Sequence, residues 1–99
     1  MLYRWRLRPG TEERFVQAWS EVSRLLLQER GSLGSRLHRG DDNVWYSYAQ
    51  WPSAQVREAS LAMSPVSSVE RETMRACITE ELSEVVLKSV SDFMVVIPE

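Results

Sequence analysis

Leu2-Tyr3-Arg4-Trp5-Arg6-Leu7-Arg8-Pro9-Gly10-Thr11-Glu12-Glu13 is the stretch that decides the fold. Up to Arg8 the residues alternate, with Tyr3, Trp5 and Leu7 on one face and Arg4, Arg6 and Arg8 on the other. A period of two with one apolar side is a half-buried strand. Three arginines beneath a packed helix would each cost roughly several kcal/mol unless paired, so the aromatic face is the core face. Pro9-Gly10 ends the strand. Thr11 is a candidate N-cap, and Glu12 and Glu13 stand where the helix dipole favours carboxylates. Phe15, Ala18, Trp19, Val22, Leu25 and Leu26 then form the apolar stripe of a helix of about five turns. Gly31 is its stop signal.

Outward from this strand–helix unit, a second strand is expected over residues 32–39 and a third over 44–51. Gly40-Asp41-Asp42-Asn43 is the turn chemistry between them. Pro52-Ser53 opens a short helix with Ser53 as cap and Val56, Ala59, Ser60 and Met63 as its inner face. Ser64-Pro65 interrupts. A further helix over 67–81 carries Val69, Thr73, Ala76 and Cys77 at helical spacing. The last strand begins near Ser83, with Val85 and Leu87 facing the core and Glu84 and Lys88 facing away, where Glu84 meets Arg4 or Arg6. Asp92 marks a bend before residues 93–97. The order is strand, helix, strand, strand, helix pair, strand, which predicts a single α+β domain over 1–99. Its plan is the ferredoxin-like split βαβ, with a four-stranded antiparallel sheet and helices on one face. Right-handed crossovers place the last strand beside the first and the first beside the third.

Length and composition bound the function. A chain of 99 residues with 43% hydrophobic and 26% charged residues forms one modest core. A net charge of −2 gives no cationic field for nucleic acid or an anionic membrane. The longest apolar runs, 25–27 and 94–97, are far short of a membrane span. No basic region followed by an apolar run opens the chain, so a cytoplasmic location is expected. Cys77 is the single cysteine, which excludes an internal disulfide and a cysteine zinc site, and it reads as a buried apolar residue. Four Trp, three Tyr and two Phe are many for one small core.

Side-chain parity in the hairpin distributes these aromatics. With two or four loop residues, His38 sits opposite Trp45, Arg36 opposite Ser47 and Gly34 opposite Ala49, on the same face as Trp51. A loop of three or five residues breaks this assignment. On the even register one face gathers Tyr3, Trp5, Arg36, His38, Trp45, Ser47 and Trp51. The other gathers Leu33, Leu37, Val44, Tyr46, Tyr48, Val86 and Val90, a patch larger than monomers usually expose. A second copy packed sheet against sheet covers it, so a two-fold homodimer is expected, with Tyr46 and Tyr48 as contacts.

Three stretches resemble the antibiotic-biosynthesis-monooxygenase-like proteins. The run from Tyr3 through Arg4-Trp5-Arg6-Leu7-Arg8-Pro9-Gly10-Thr11-Glu12-Glu13-Arg14 to Phe15 is similar to their first strand and helix start. Gly31-Ser32-Leu33-Gly34-Ser35-Arg36-Leu37-His38-Arg39 is similar to their second strand. Tyr48-Ala49-Gln50-Trp51-Pro52-Ser53 resembles the end of their third. The resemblance covers about residues 2–61 and implies a dimeric α/β barrel. In the haem-degrading branch it implies an Asn where this chain has Tyr3 and a His near Leu61; Trp51 alone matches, so a haem ligand of that kind is absent.

In the cofactor-independent branch the resemblance implies a site between sheet and helices. There a quinol-type substrate is deprotonated and its own anion reduces O₂, so no cofactor is expected. Such chemistry needs a base, donors for the phenolate, an aromatic slot and exclusion of water. His38 is the candidate base, the one side chain present that titrates near neutrality without help. Its plain alternative is an inert strand-end histidine. Arg36 and Tyr3 are candidate anion stabilisers, though Arg36 also fits an edge-strand charge that blocks aggregation. Trp5, Trp45, Ser47 and Trp51 are candidate substrate contacts, although Trp45 and Trp51 also fit plain core packing. Phe15 and Trp19 read as core, and Arg4 and Arg6 as ion-pair partners. The expected function is a small monooxygenase acting on a planar aromatic. A non-catalytic dimeric ligand-binding or stress-response module of the same fold and a lactone isomerase remain the alternatives.

Overall fold

The computed structural model describes residues 1–94. The elements are β1 (Leu2–Leu7), α1 (Glu12–Glu29), β2 (Gly34–Arg39), β3 (Trp45–Gln50), α2 (Ala54–Ala62), α3 (Ser68–Cys77) and β4 (Ile78–Val85). The strands form one antiparallel sheet in the order β2-β3-β1-β4. This is the α+β ferredoxin-like arrangement expected from the element order. Pro9 and Gly10 turn the chain out of β1: Gly10 takes φ 86° and the Thr11 N–H donates to the Arg8 carbonyl at 3.2 Å. Thr11 stands at the N-cap, but its hydroxyl donates to the Arg8 carbonyl at 2.6 Å and makes no cap bond. Gly31, at φ 78°, releases the chain from α1 as expected. Ser53 caps α2, its hydroxyl accepting the Val56 N–H at 3.2 Å.

The core lies between α1, α3 and the sheet. Trp5, Phe15, Trp45 and Cys77 form its centre, with Phe15 and Cys77 wholly buried. The Phe15 ring meets Trp5 edge-on at 5.4 Å and Trp45 at 6.3 Å between centroids. Leu7, Leu37, Met74 and Ile78 pack around them.

The β2–β3 hairpin corrects the expected register. The Gly40 N–H donates to the Val44 carbonyl at 2.8 Å and the Asn43 N–H to the Gly40 carbonyl at 3.0 Å, with Asn43 at φ 62°. That is a turn followed by a left-handed residue around a three-residue loop. Its parity is odd, so Leu37 pairs with Ser47, Ser35 with Ala49 and His38 with Tyr46. Leu37 and Ser35 therefore face the helices. Arg36 and His38 share the opposite face with Tyr46 and Tyr48, away from Trp5, Ser47 and Trp45. Val44, expected on that outer face, is buried.

The last strand also differs. It begins at Ile78 rather than Ser83, because Ile78, Glu80 and Glu81, which read as helix, pair along β1, with Thr79 at a register shift between them. Val69 and Ala76 are exposed, whereas Cys77 is buried as expected and Met74 packs inward with it. On α2, Ala59 and Met63 are likewise exposed. Two register shifts between β1 and β4 leave Leu2 opposite Val85, Arg4 opposite Leu82 and Arg6 opposite Glu80. Val85 thus faces outward and Glu84 inward, the reverse of the expected parity. Arg6 pairs with Glu80 at 3.1 Å, and Arg4 donates to the Ser83 carbonyl at 3.0 Å. After Val85 the chain carries no strand as far as Met94. The rest of the expected 93–97 segment lies outside the described residues.

The hairpin register rests on Asn43 in the left-handed region. Asn43→Gly is expected to hold stability within about 0.5 kcal/mol, whereas Asn43→Val costs roughly 1–2 kcal/mol. Urea unfolding checks this, and equal midpoints for the two variants would contradict the odd loop.

Candidate functional site

The apolar seal at Phe15 does not extend along the whole sheet. One turn further on, Trp19 is only partly buried, and its indole N–H donates to the Ser47 hydroxyl at 3.0 Å. Past it a cavity of about 320 Å³ opens between the inner sheet face, α1 and the α2–α3 segment. This is within the usual size of small-molecule sites. Trp5, Trp19 and Trp51 are its aromatic walls, and Leu26, Met63 and Met74 add apolar surface. The cavity is open rather than filled by the tryptophans.

Its polar side is built from three elements. Tyr3, on β1, stacks beside Trp5 with the rings 5° apart in orientation and 6.1 Å between centroids. Arg57, on α2, donates to the Tyr3 hydroxyl oxygen from Nε at 3.3 Å and Nη2 at 3.1 Å. The same Nη2 reaches Glu84 Oε2, on β4, at 3.1 Å, and the Arg57 side chain is only 18% exposed. Burial pushes the Arg57 guanidinium down, but the Tyr3 hydroxyl and Glu84 outweigh it and hold it above the ordinary arginine value. Because the Tyr3 oxygen accepts from a cation, its own O–H remains available to donate to a bound oxyanion. Arg30 braces the far wall, donating to the Ser60 carbonyl at 3.2 Å and the Ser64 carbonyl at 2.7 Å. Arg71 and Glu81 complete the lining.

Of the residues singled out in the sequence, Tyr3, Trp5, Ser47 and Trp51 come together in this cavity. Trp45 sits behind it in the core, between Phe15 and the guanidinium of Arg39, which lies 5.4 Å over its ring. Trp19, read as core, is a cavity wall. Arg36 and His38 lie on the other face of the sheet, in a separate groove with Tyr48, Gln50 and Met94. Arg30, Arg57, Arg71, Glu81 and Glu84 were not found from the sequence. The signal for Arg71 lies in its spacing to Met74 and Cys77, which puts an arginine on the buried stripe of α3. Among the described residues no group of three or more His, Cys, Asp or Glu is placed to hold a metal ion. No described helix is long and apolar enough to cross a membrane.

The model of the family described as antibiotic biosynthesis monooxygenase matches residues 1–67. No curated protein sequence matches significantly. Among solved structures, one from Bordetella bronchiseptica is 18% identical with a TM-score of 0.67, over 86% of this chain and 94% of its own. One from Caulobacter crescentus is 13% identical with a TM-score of 0.66, over 86% and 87%. Both are described as putative antibiotic biosynthesis monooxygenases. Tetracenomycin F2 cyclase from Streptomyces glaucescens, a type-II polyketide cyclase, is 19% identical with a TM-score of 0.64, over 92% and 96%. At these identities the likeness is one of fold.

The Trp19–Ser47 bond pins one wall of the cavity. Ser47→Ala removes the acceptor of a partly buried N–H and is expected to cost about 1–3 kcal/mol in urea unfolding. An unchanged midpoint would mean that the indole finds another partner.

Proposed function

Because the chain belongs to the antibiotic biosynthesis monooxygenase family, we propose that its cavity binds a planar phenolic substrate and stabilises the anion that reacts with O₂. The observation that carries this reading is the Arg57–Tyr3 pair at the base of a slot walled by tryptophans. A phenol or quinol lying against Trp5 or Trp51 would present an oxygen to the Tyr3 O–H. Negative charge developing there is stabilised by a donor already polarised by Arg57. The substrate anion then passes an electron to O₂, and the apolar walls keep water from the radical pair. With His38 on the far face of the sheet, the proton acceptor in this scheme is a carboxylate. Glu81 lines the cavity opposite Trp5 and makes no ion pair among the described residues, whereas Glu84 is engaged by Arg57.

Oxygen uptake with a model naphthoquinol tests the scheme. Arg57→Gln and Tyr3→Phe are each expected to lower kcat by roughly 10²–10³-fold, and Glu81→Gln by roughly 10²-fold. His38→Ala should match the wild type. A wild-type rate no greater than that of the buffer, or an unimpaired Arg57→Gln variant, would overturn it.

A homodimer formed through the outer sheet face is part of the same proposal. That face carries Leu2, Tyr46, Tyr48, Leu82 and Val85, and Leu33, Val86 and Val90, outside the strands, are well exposed. Arg36 and His38 join Arg4 and Arg6 there and make the face more polar than the even register implied. Sedimentation at micromolar concentration is expected to give twice the mass of the chain, and a monomer would contradict the sheet-to-sheet pairing.

A further inference from the structure

Among the described residues, Arg71 is the one cavity cation whose side chain has no acceptor. Its Nε is buried and has no hydrogen-bond partner among the described residues. No carboxylate there lies within ion-pair distance of it. The Trp51 Nε1 is in the same condition and lines the same cavity. Leaving such donors unpaired costs free energy, more so for a charged group; a third such atom, Arg4 Nε, belongs to the outer sheet face, so these two are the ones that a ligand in the cavity can meet. Burial pushes the Arg71 guanidinium below the usual arginine range; Tyr3 acts upward on it, and Arg30 and Arg75 press it further down. The charges lining the cavity are Arg30, Arg57 and Arg71 against Glu81 and Glu84, three against two, which leaves one positive charge.

We infer that the substrate carries a carboxylate, held by Arg71 with the Trp51 N–H, in addition to the phenolic oxygen met by Tyr3 and Arg57. A planar carboxylate suits the guanidinium fork, and its single negative charge balances the one positive charge left in the lining. This rests on the cavity being the substrate site, and it narrows the substrate class from phenols in general to hydroxyaryl carboxylic acids. Arg71 is then a specificity determinant, separate from the anion-stabilising pair.

The test uses probes that are not hydroquinones, so that binding is read without turnover. Naphthol, the corresponding hydroxynaphthoate and naphthyl phosphate are titrated against wild type and Arg71→Met by tryptophan fluorescence. Wild type is expected to bind hydroxynaphthoate at least about tenfold tighter than naphthol. Arg71→Met is expected to abolish that preference while leaving naphthol affinity within about threefold. Because a half-buried cation with no ion-pair partner among the described residues is being removed, the ligand-free Tm of the variant should equal or exceed that of wild type. Equal wild-type affinities, a preference that survives in Arg71→Met, or a lowered Tm in that variant would overturn the inference. Naphthyl phosphate binding as tightly as hydroxynaphthoate would overturn the carboxylate assignment. A preference that holds in a protein inactive toward quinols would remove the oxygenase reading alone. A wild type that binds no probe would remove both.

Discussion

The Phe15 ring, wedged edge-on between Trp5 and Trp45, fixes the distance between helix and sheet on which everything else depends. Trp5 and Trp45 are directly paired across β1 and β3, so one helix residue locks the two central strands at once. Burying a side chain of this size contributes roughly 1.5–3 kcal/mol, and the edge-to-face contacts add to it. Cys77 closes the same cluster from α3, at the point where that helix passes into β4. With α1 pinned there, Trp19 one turn later bonds to Ser47 at 3.0 Å instead of sealing the sheet. The cavity is the space that this arrangement leaves.

The topology was legible because it rests on local signals that tertiary context did not overrule. The alternation in residues 2–7, the Pro9-Gly10 turn, the stripe from Phe15 to Leu26 and the Ser53 cap all act over a few residues. The hairpin was legible as a hairpin but not as a register. Gly40-Asp41-Asp42-Asn43 suits loops of several lengths, and only the left-handed Asn43 fixes the odd one. One residue of parity then moved Leu37 into the core and Arg36 and His38 out of it. The start of β4 was hidden for a different reason. Glu80 and Glu81 have weak strand propensity, and they pair where Arg6 and Trp5 stand opposite them.

The site was legible by half, and the division follows the strands. Residues whose position depends on strand alternation, such as Tyr3, Trp5 and Ser47, could be placed once β1 and β3 were recognised. Arg57 and Arg71 belong to short helices whose phase is set by what they pack against. Several apolar residues on those helices, Ala59, Val69 and Ala76 among them, turned out to be exposed, while Met74 and Cys77 face inward. When a helix has few apolar residues, its polar ones determine which face turns inward, and composition alone points the wrong way. Here α2 and α3 contribute guanidiniums where a purely structural domain would place leucines. That is the substitution expected where stability is given up for binding.

The irregular pairing of β4 is what makes the polar side of the cavity possible. A ladder continued without a shift from Arg4–Leu82 would put Ser83 opposite Tyr3 and send Glu84 to the arginine face opposite Leu2, where exposed pairs such as Arg6–Glu80 contribute little. The shift between Leu2 and Arg4 instead brings Glu84 within 3.1 Å of Arg57. Arg57 is mostly buried, so its charge needs a counterion to remain tolerable there. Glu84 supplies it, and in doing so holds the guanidinium against the Tyr3 oxygen rather than letting it swing to solvent. The bulge is thus part of the site: it re-aims one carboxylate, the carboxylate orients the arginine, and the arginine polarises the phenol that lines the cavity.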